Sequence, residues 1–555
     1  MELKTFPKIN INFKGATLNI NSFSDSHGNL QKLDGFYQSF EENRDEIFLG
    51  DKKGNQNALL IVGDWFIAGD TKGYKTNKNA SSNDFQIKFF NMFVNKIKAM
   101  APKNKTYFFV GNHELDAGEK YFKQILNNIN AKVITTNLDF ENSFALKDEI
   151  ENNKIIQKDI LEIDDDKDPN KKHKALFLGI SPVNIPAYKK GLKGIRFIDE
   201  IKKGQDSVKK EDYQKTFNKT VQLIKDFKQK NPKGLVIVSV HTGVDFAKNL
   251  ANEMGDDISL ILNGHEHRND DEKINGVNII NLSQNFEKFV NIKLSVDDDG
   301  NLKGISEPKI YKPVSNPDKE SFIQKFFNRI FYKDCIKEYK IRTDNPEIKV
   351  LDNEGVRYQN NYLANFINDC ILSEIQKTNP DVDIFALNAS SVRGSIDTLN
   401  LGGANNLQMI EVLGGITHKD AELYKNKVSG RELMALITDN LLFNETSPER
   451  KPLMQYSGLV IDKKSILEGV HSGKKLDELM QYVKLANDGE NIEKDKDYII
   501  ANVVKYFVKS KNEFINTTLF NDAKPLNLNA KDLFRNHIEE NKDNLYAKCD
   551  VRIID

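Results

Sequence analysis

Four short apolar runs in the first half of the chain each end in a loop that sets glycine beside histidine, aspartate or asparagine. This pattern restricts the fold more than any other feature. NALLIVGD ends at Asp64, TYFFVGNHELD ends in Gly111 to Asp116, GLVIVSVHTG ends at His241, and ISLILNGHEHR ends at His265 and His267. Each run is short and rich in β-branched or aromatic residues, as a strand buried on both faces requires. Helical patterns separate them. Between Asp206 and Lys230, Phe217, Val221, Ile224 and Phe227 recur at helical spacing with lysines opposite, and Asn231-Pro232 stops the pattern. An α/β chain with loaded strand ends is the expectation.

Five of the nine histidines (His27, His113, His241, His265 and His267) fall in these loops or in the similar loop at Asp25, while His173, His418, His471 and His537 stand outside any such context. A single histidine is usually a solvated or satisfied side chain; five at strand ends need a chemical reason. Asp25-x-His27 sets a carboxylate and an imidazole two residues apart, so that in extended backbone both point to one side. Gly63-Asp64 offers a carboxylate after bare backbone, Gly111-Asn112-His113-Glu114 an amide oxygen and an imidazole, and Gly264-His265-Glu266-His267 two imidazoles. Strand ends are where open α/β sheets gather ligands. A His/Asp/Asn set without cysteine suits Mn, Fe, Zn or Co in a reactive site better than a closed structural zinc. Two such cations bridged by one carboxylate clamp the attacking and leaving oxygens of a phosphoryl transfer and make hydroxide available near neutrality. Taken singly, Asn112 also reads as a turn residue and Asp64 as a helix cap, and Glu114 and Glu266 read as supports for the ligands more readily than as ligands.

The chain has 555 residues, enough for more than one domain. Lys plus Arg number 80 and Asp plus Glu 81, so no global field draws the chain to nucleic acid or to a membrane surface. Cys335, Cys370 and Cys549 are too scattered for a disulfide framework or a zinc ribbon. The first residues, MELKTFPKININFKGATLNIN, alternate like a strand and lack the apolar core of a signal peptide. No run approaches the ~20 apolar residues of a membrane span. As written, the chain reads as cytoplasmic. Residues 151–175 read as a hairpin with a charged tip and 70–84 as a polar loop. A boundary falls near Pro313 to Pro317, with an amphipathic linker helix over 319–340 (Phe322, Phe326, Ile330, Cys335). The domains are therefore placed at 1–315 (metal-binding), 316–345 (linker helix) and 346–555.

The ordered series D-x-H, G-D, G-N-H-E, H-x-G, G-H-x-H resembles the calcineurin-like metallophosphoesterases, and G-N-H-E-L-D with N-G-H-E-H resembles the branch of 5′-nucleotidases and UDP-sugar hydrolases. The resemblance extends into the C-terminal half. It implies a four-layer α/β/β/α sandwich followed by an α+β domain of the 5′-nucleotidase type, and two divalent metals. It assigns Asp25, His27 and His267 to the first metal, Asn112, His241 and His265 to the second, and Asp64 to a bridge between them. His113 then stabilises or protonates at the phosphate, with Asp116 orienting its ring. The implied substrate is a small phosphoester, most simply a nucleotide destined for catabolism, and not a nucleic-acid polymer.

In the C-terminal half the family's Asn-Gly-Gly-x-x-Arg stretch is matched by Asn388-Ala389-Ser390-Ser391-Val392-Arg393, which keeps Asn388 and Arg393 and loses the glycines. Arg393 suits bidentate recognition of phosphate or carboxylate and also reads as a surface ion-pair residue. Arg357 is similar to a second family arginine. The family grips the nucleobase between two aromatic rings. Leu413 stands where the first is expected, and Phe507 matches the second in position but equally suits a core. Phosphoester hydrolysis is the function implied, 5′-nucleotidase-like first. A metallophosphoesterase of other specificity (cyclic phosphodiesterase or sugar-phosphate hydrolase) and a non-catalytic phospholigand-binding protein are the alternatives.

Overall fold

The computed structural model of the chain describes residues 15–27, 30–50, 53–66, 82–115, 118–168, 170–183, 192–199, 210–268, 270–284, 286–313, 341–345, 348, 350–351, 356, 359–392, 396–397, 413, 421–446, 453–503, 523–541 and 544–554. The expected linker helix over 319–340 and most of the polar loop 70–84 lie outside them. The chain divides into two compact units. One holds residues up to Asn316 apart from 27–31 and 68–82; the other holds those two segments and Pro317–Asp555.

Among the described residues, fourteen strands build the first unit: β1 Ala16–Ser24, β2 Asn55–Val62, β3 Lys105–Phe109, β4 Lys132–Ile134, β5 Ile155–Ile156, β6 Lys158–Asp164, β7 Lys172–Ile180, β8 Leu235–Val240, β9 Leu260–Asn263, β10 Glu272–Ile274, β11 Val277–Asn281, β12 Phe289–Val296, β13 Leu302–Ile305 and β14 Lys309–Tyr311. One sheet runs β13-β12-β1-β2-β3-β4-β5, with β14 on β12; the second runs β10-β11-β9-β8-β7-β6. Strands β1, β2 and β3 are parallel neighbours in the first sheet, and β7, β8 and β9 in the second. The two sheets pack face to face through one core. The pleat explains how continuous apolar runs serve two faces. On β2, Ala58, Leu60 and Val62 enter the inter-sheet core, while the equally buried Leu59 and Ile61 point the other way.

Helices close the outer faces. Against the first sheet, Phe36 and Phe40 of the helix Leu30–Glu42 meet Phe289, and Phe40 and Phe36 also meet Phe93 of the helix Ser82–Met100. Against the second, the helices Gln214–Lys230 and Val244–Met254 seat Phe217, Ile224, Phe227, Phe246 and Leu250 on Val236 and Val238. The layers are thus α/β/β/α. The expected helix ends at Lys230, with Asn231 as its C-cap, and begins at Gln214 among the described residues. The charged hairpin is β6–β7, antiparallel from Lys158↔Leu178 to Asp164↔Lys172. His173 is explained there: its Nε2 lies 2.8 Å from Asp165 Oδ2, a buried pair that anchors the hairpin tip.

The second unit is built on a five-stranded mixed sheet in the order Met454–Ser457, Ile384–Asn388, Asp497–Asn502, Glu422–Ser429, Lys524–Asn529. The helices Tyr362–Thr378 and Ala530–Glu540 cover one face, and Gly430–Thr446 and Lys463–His471 cover the other. The C-terminal strand Ile553–Ile554 adds to Leu459–Asp462. Cys370 and Cys549 carry free thiols, and burial raises the pKa of the Cys370 thiol. No helix among the described residues is long and apolar enough to cross a membrane.

Candidate metal centre

The loops after β1, β2, β3, β8 and β9 all leave the same, C-terminal edges of their parallel strands, so the sandwich brings them together. Three groups form there in which one ligand atom per residue lies within 4.8 Å of the others: Asp25, His27 and His267; His27, Asp64 and His113; and Asp64, His241 and His265. Asp64 and His27 each belong to two groups. Asn112 sits beside them in the chain, with a buried Oδ1 that has no hydrogen-bond partner.

The backbone is bent to make this possible. Nine non-glycine residues among those described have positive φ, and five of them are Asp25, His27, Asp64, His265 and His267. Left-handed backbone at β-bearing side chains costs energy and collects at functional sites. The extended geometry expected for Asp25-x-His27 is therefore corrected: both have φ 49, because the strand ends at Ser24 and the chain curls over its end. Neighbouring glycines admit the crowding. A Cβ on Gly111 would collide with the Asp64 carboxylate, and one on Gly264 with Ser24 Oγ, His241 Nδ1 and Asp25 Oδ2.

Hydrogen bonds aim the donors. His241 Nδ1 lies 2.7 Å from the Val62 carbonyl oxygen, so that nitrogen carries the proton and donates it. Nε2 then faces Asp64 Oδ2 at 3.1 Å and Asp25 Oδ1 at 3.7 Å. Asp25 Oδ2 accepts from Ser24 Oγ (2.5 Å) and from the His265 amide (2.8 Å), which turns Oδ1 to His267 Nε2 at 3.2 Å. Asp64 Oδ1 accepts from the His113 amide (2.8 Å), and His113 Nε2 stands 4.0 Å from Asp64 Oδ2. These partners outside the ligand set fix tautomer and orientation, as is usual around metals. Glu114, fully buried, accepts from the amides of Asp64 (3.0 Å), Phe66 (3.0 Å) and Gly111 (2.7 Å).

The electrostatics fit a cation. Burial works against a charged His241, yet Asp64 and Asp25 raise its pKa to about 10. Burial also opposes ionisation of Asp25, but His241 and His267 hold it below the usual carboxylate range. Burial, then the neighbouring His241, lowers His265 to about 3, so it stays a neutral donor. Burial and Asp64 raise Glu114 to about 7. Two buried carboxylates thus draw positive charge to the point where the imidazoles converge, a proton on His241 in the metal-free chain, while His265 stays neutral. Oxygen and nitrogen donors without sulfur, with an unpartnered Asn112 oxygen among them, suit a borderline divalent metal.

Of the expected site residues, Asp25, His27, Asp64, His113, His241, His265 and His267 come together and Asn112 adjoins them. Asp116, Arg357, Arg393 and Phe507 lie outside the described residues. Asn388 ends a central strand of the second unit, half-buried and opposite Met454. Leu413 is a core residue, 2 % exposed, among apolar side chains. Sequence reasoning missed Ser24, whose only signal was its place next to Asp25, and missed that Glu114 takes three backbone amides.

The description of calcineurin-like phosphoesterases matches residues 18–269. No curated protein matches the chain by sequence. Among solved structures, the fold is similar to that of a 5′-nucleotidase precursor from Thermus thermophilus (TM-score 0.62, 14% identity, 97% of this chain and 99% of that one). It is also similar to the sulfate thiohydrolase SoxB of the same genus (0.61, 11%, 97% and 96%) and to a putative 5′-nucleotidase from Staphylococcus aureus (0.52, 14%, 96% and 100%). These likenesses establish the two-part fold over nearly the whole chain. The matched segment spans all five of these loops, so residues 18–269 are similar to the calcineurin-like phosphoesterases over the whole candidate centre.

Proposed function

We propose that the chain is a two-metal hydrolase of phosphoric esters, 5′-nucleotidase-like, releasing phosphate from nucleoside monophosphates or related nucleotides. The observation that carries this is Asp64, shared between two clusters of ligand atoms as a bridging carboxylate would be. In this reading Asp25, His27 and His267 hold one divalent ion, Asn112, His241 and His265 hold the other, and Asp64 holds both. When bound, the ions supply Lewis-acid charge and hydroxide at neutral pH. His113, beside Asp64 and outside the ligand set, faces the phosphate and stabilises charge on it or passes a proton to the leaving oxygen. Asp116 orients its ring. The expected C-terminal domain, residues 346–555, reads the rest of the substrate through Asn388, Arg393, Arg357 and Phe507.

A phosphate-release panel with metal analysis on the same sample tests this. Nucleoside monophosphates should release phosphate, chelator should abolish it, and Mn or Co should restore it. His113→Ala should lose turnover and keep both metals; a protein with metals but no turnover before or after that change would be a binding protein. One observation favours a second reading, a metallophosphoesterase of other specificity. Leu413 packs in the core where a base-stacking ring is expected. The similar fold of a sulfate thiohydrolase supports widening the panel to cyclic nucleotides, sugar phosphates and sulfur esters. Cleavage of these with all nucleotides ignored would replace the first reading with the second.

A further inference from the structure

The two loops that carry Asp64 and Asn112-His113 leave adjacent strands with no ladder to hold them. β2 ends at Val62 and β3 at Phe109, so the amides of Asp64, Phe66 and Gly111 lie past the paired region. All three donate to one side chain. Glu114 Oε2 accepts from Asp64 N at 3.0 Å and Gly111 N at 2.7 Å, and Oε1 accepts from Phe66 N at 3.0 Å. The short 3₁₀ turn His113–Leu115 presents this carboxylate to the loops from within, fully buried. A carboxylate has four acceptor positions and no donor; a carboxamide has one oxygen and sets an NH₂ against one of the three N–H groups.

We propose that Glu114 is a positioning residue: a carboxylate staple joining the β2 and β3 loops, which sets the spacing of Asp64 from Asn112 and His113. Two backbone-to-side-chain hydrogen bonds show the coupling. Asp64 is held by its amide through Glu114 and by its Oδ1 through the His113 amide, 2.8 Å away, so both ends of this candidate bridging residue are tied to the β3 loop. With three N–H donors on its two oxygens, Glu114 is committed to the backbone and is not a ligand. Its consequence for metal binding rests on the function proposed above; the staple itself does not.

The test uses the full chain, wild type and Glu114→Gln, with three readouts. Amide exchange on metal-free wild type should find Asp64, Phe66 and Gly111 protected although they lie outside the strands. In Glu114→Gln at least one of them should exchange ten or more times faster, with Leu60 and Phe108 inside the strands unchanged. Calorimetric titration with Mn²⁺, well below the melting temperature, should give ten- to a hundredfold weaker binding with unchanged stoichiometry. Saturating Mn²⁺ should return kcat to near the wild-type value, because no ligand and no reacting group has been altered. Fast exchange of the three amides in the wild type overturns the proposal, and decides the matter even if the variant does not fold. So does Mn²⁺ affinity within threefold of wild type, or lost turnover that saturating metal leaves unrestored. A wild type that binds no metal and cleaves no phosphoester would instead overturn the proposed function, with the exchange data still judging the staple.

Discussion

Ser24→Ala isolates one hydrogen bond behind one candidate ligand. Ser24 Oγ lies 2.5 Å from Asp25 Oδ2 and 2.5 Å from the Val62 carbonyl oxygen, so its single proton is shared, and the charge on Asp25 makes the carboxylate the stronger acceptor. Removing the hydroxyl leaves the His265 amide on that oxygen and frees the carboxylate to turn, so that Oδ1 no longer points dependably at the site. Two routes give the size. Losing a partner that orients a metal ligand costs about 10- to 100-fold in affinity, which is about 1.4–2.8 kcal/mol. A buried hydrogen bond to a charged group contributes about 1.5–3 kcal/mol. The two ranges agree. The assay is competition for Mn²⁺ against a chelating dye. Ser22→Ala is the control, since Ser22 Oγ donates to the Leu60 carbonyl at 2.9 Å, on the same strand and away from the carboxylates. Ser22→Ala should leave the affinity unchanged. A Ser24→Ala affinity within threefold of wild type, about 0.65 kcal/mol, would refute the reasoning, as would an equal loss in both variants.

The remaining predictions address stability and the second unit. Mn²⁺ at 100 times its Kd should stabilise the chelator-treated chain by about 2.7 kcal/mol, seen as a calorimetric rise in melting temperature that Asp64→Ala loses. Leu413, 2 % exposed, should cost about 2–5 kcal/mol on change to alanine, measured by denaturant unfolding, while KM for any nucleotide turned over stays put; a raised KM would make Leu413 a substrate contact. Arg552 forks onto Asp369 at 2.6 and 2.7 Å, tying the C-terminal strand to the helix Tyr362–Thr378. Because Asp369 is 37% exposed, Arg552→Ala should cost about 1–3 kcal/mol, less than a fully buried pair; a change under ~0.5 kcal/mol, as at an ordinary surface site, would contradict this. Burial opposes ionisation of Asp165, yet His173 and the amides of Asp168 and Lys167 hold it far below the usual carboxylate range. A depressed acid contributes stability that is full above its unfolded pKa near ~3.9 and falls as pH drops toward the native value. The stability gap between wild type and Asp165→Asn should therefore narrow on acidification below pH ~4; a constant gap would disprove the linkage.

Much of the first unit was legible because its signals are local. A strand buried on both faces must be apolar throughout, so the runs before Asp64, Gly111, His241 and His265 announced β2, β3, β8 and β9. Five histidines at four strand ends announced a shared destination. The orientation of those side chains was not local. Extended backbone at Asp25 and His27 was the simplest reading of a two-residue spacing, and positive φ replaced it because the loop must curl back over its own strand. The second unit was less legible for a related reason. In the sequence the leucine at 413 shows only that a stacking ring is missing, and only packing against residues remote in the chain makes it a core side chain.

The sequence by itself determined which atoms can bind: the carboxylates of Asp25 and Asp64, the Asn112 amide and the imidazoles, each placed after a strand whose composition demanded burial. Only the tertiary structure decided how they are presented. The Val62 carbonyl chooses the His241 tautomer, Ser24 and the His265 amide choose which oxygen of Asp25 faces the site, and Glu114 sets one loop against another. Side-chain identity is a property of one position, whereas tautomer, rotamer and loop spacing are set by hydrogen bonds between positions up to 240 residues apart.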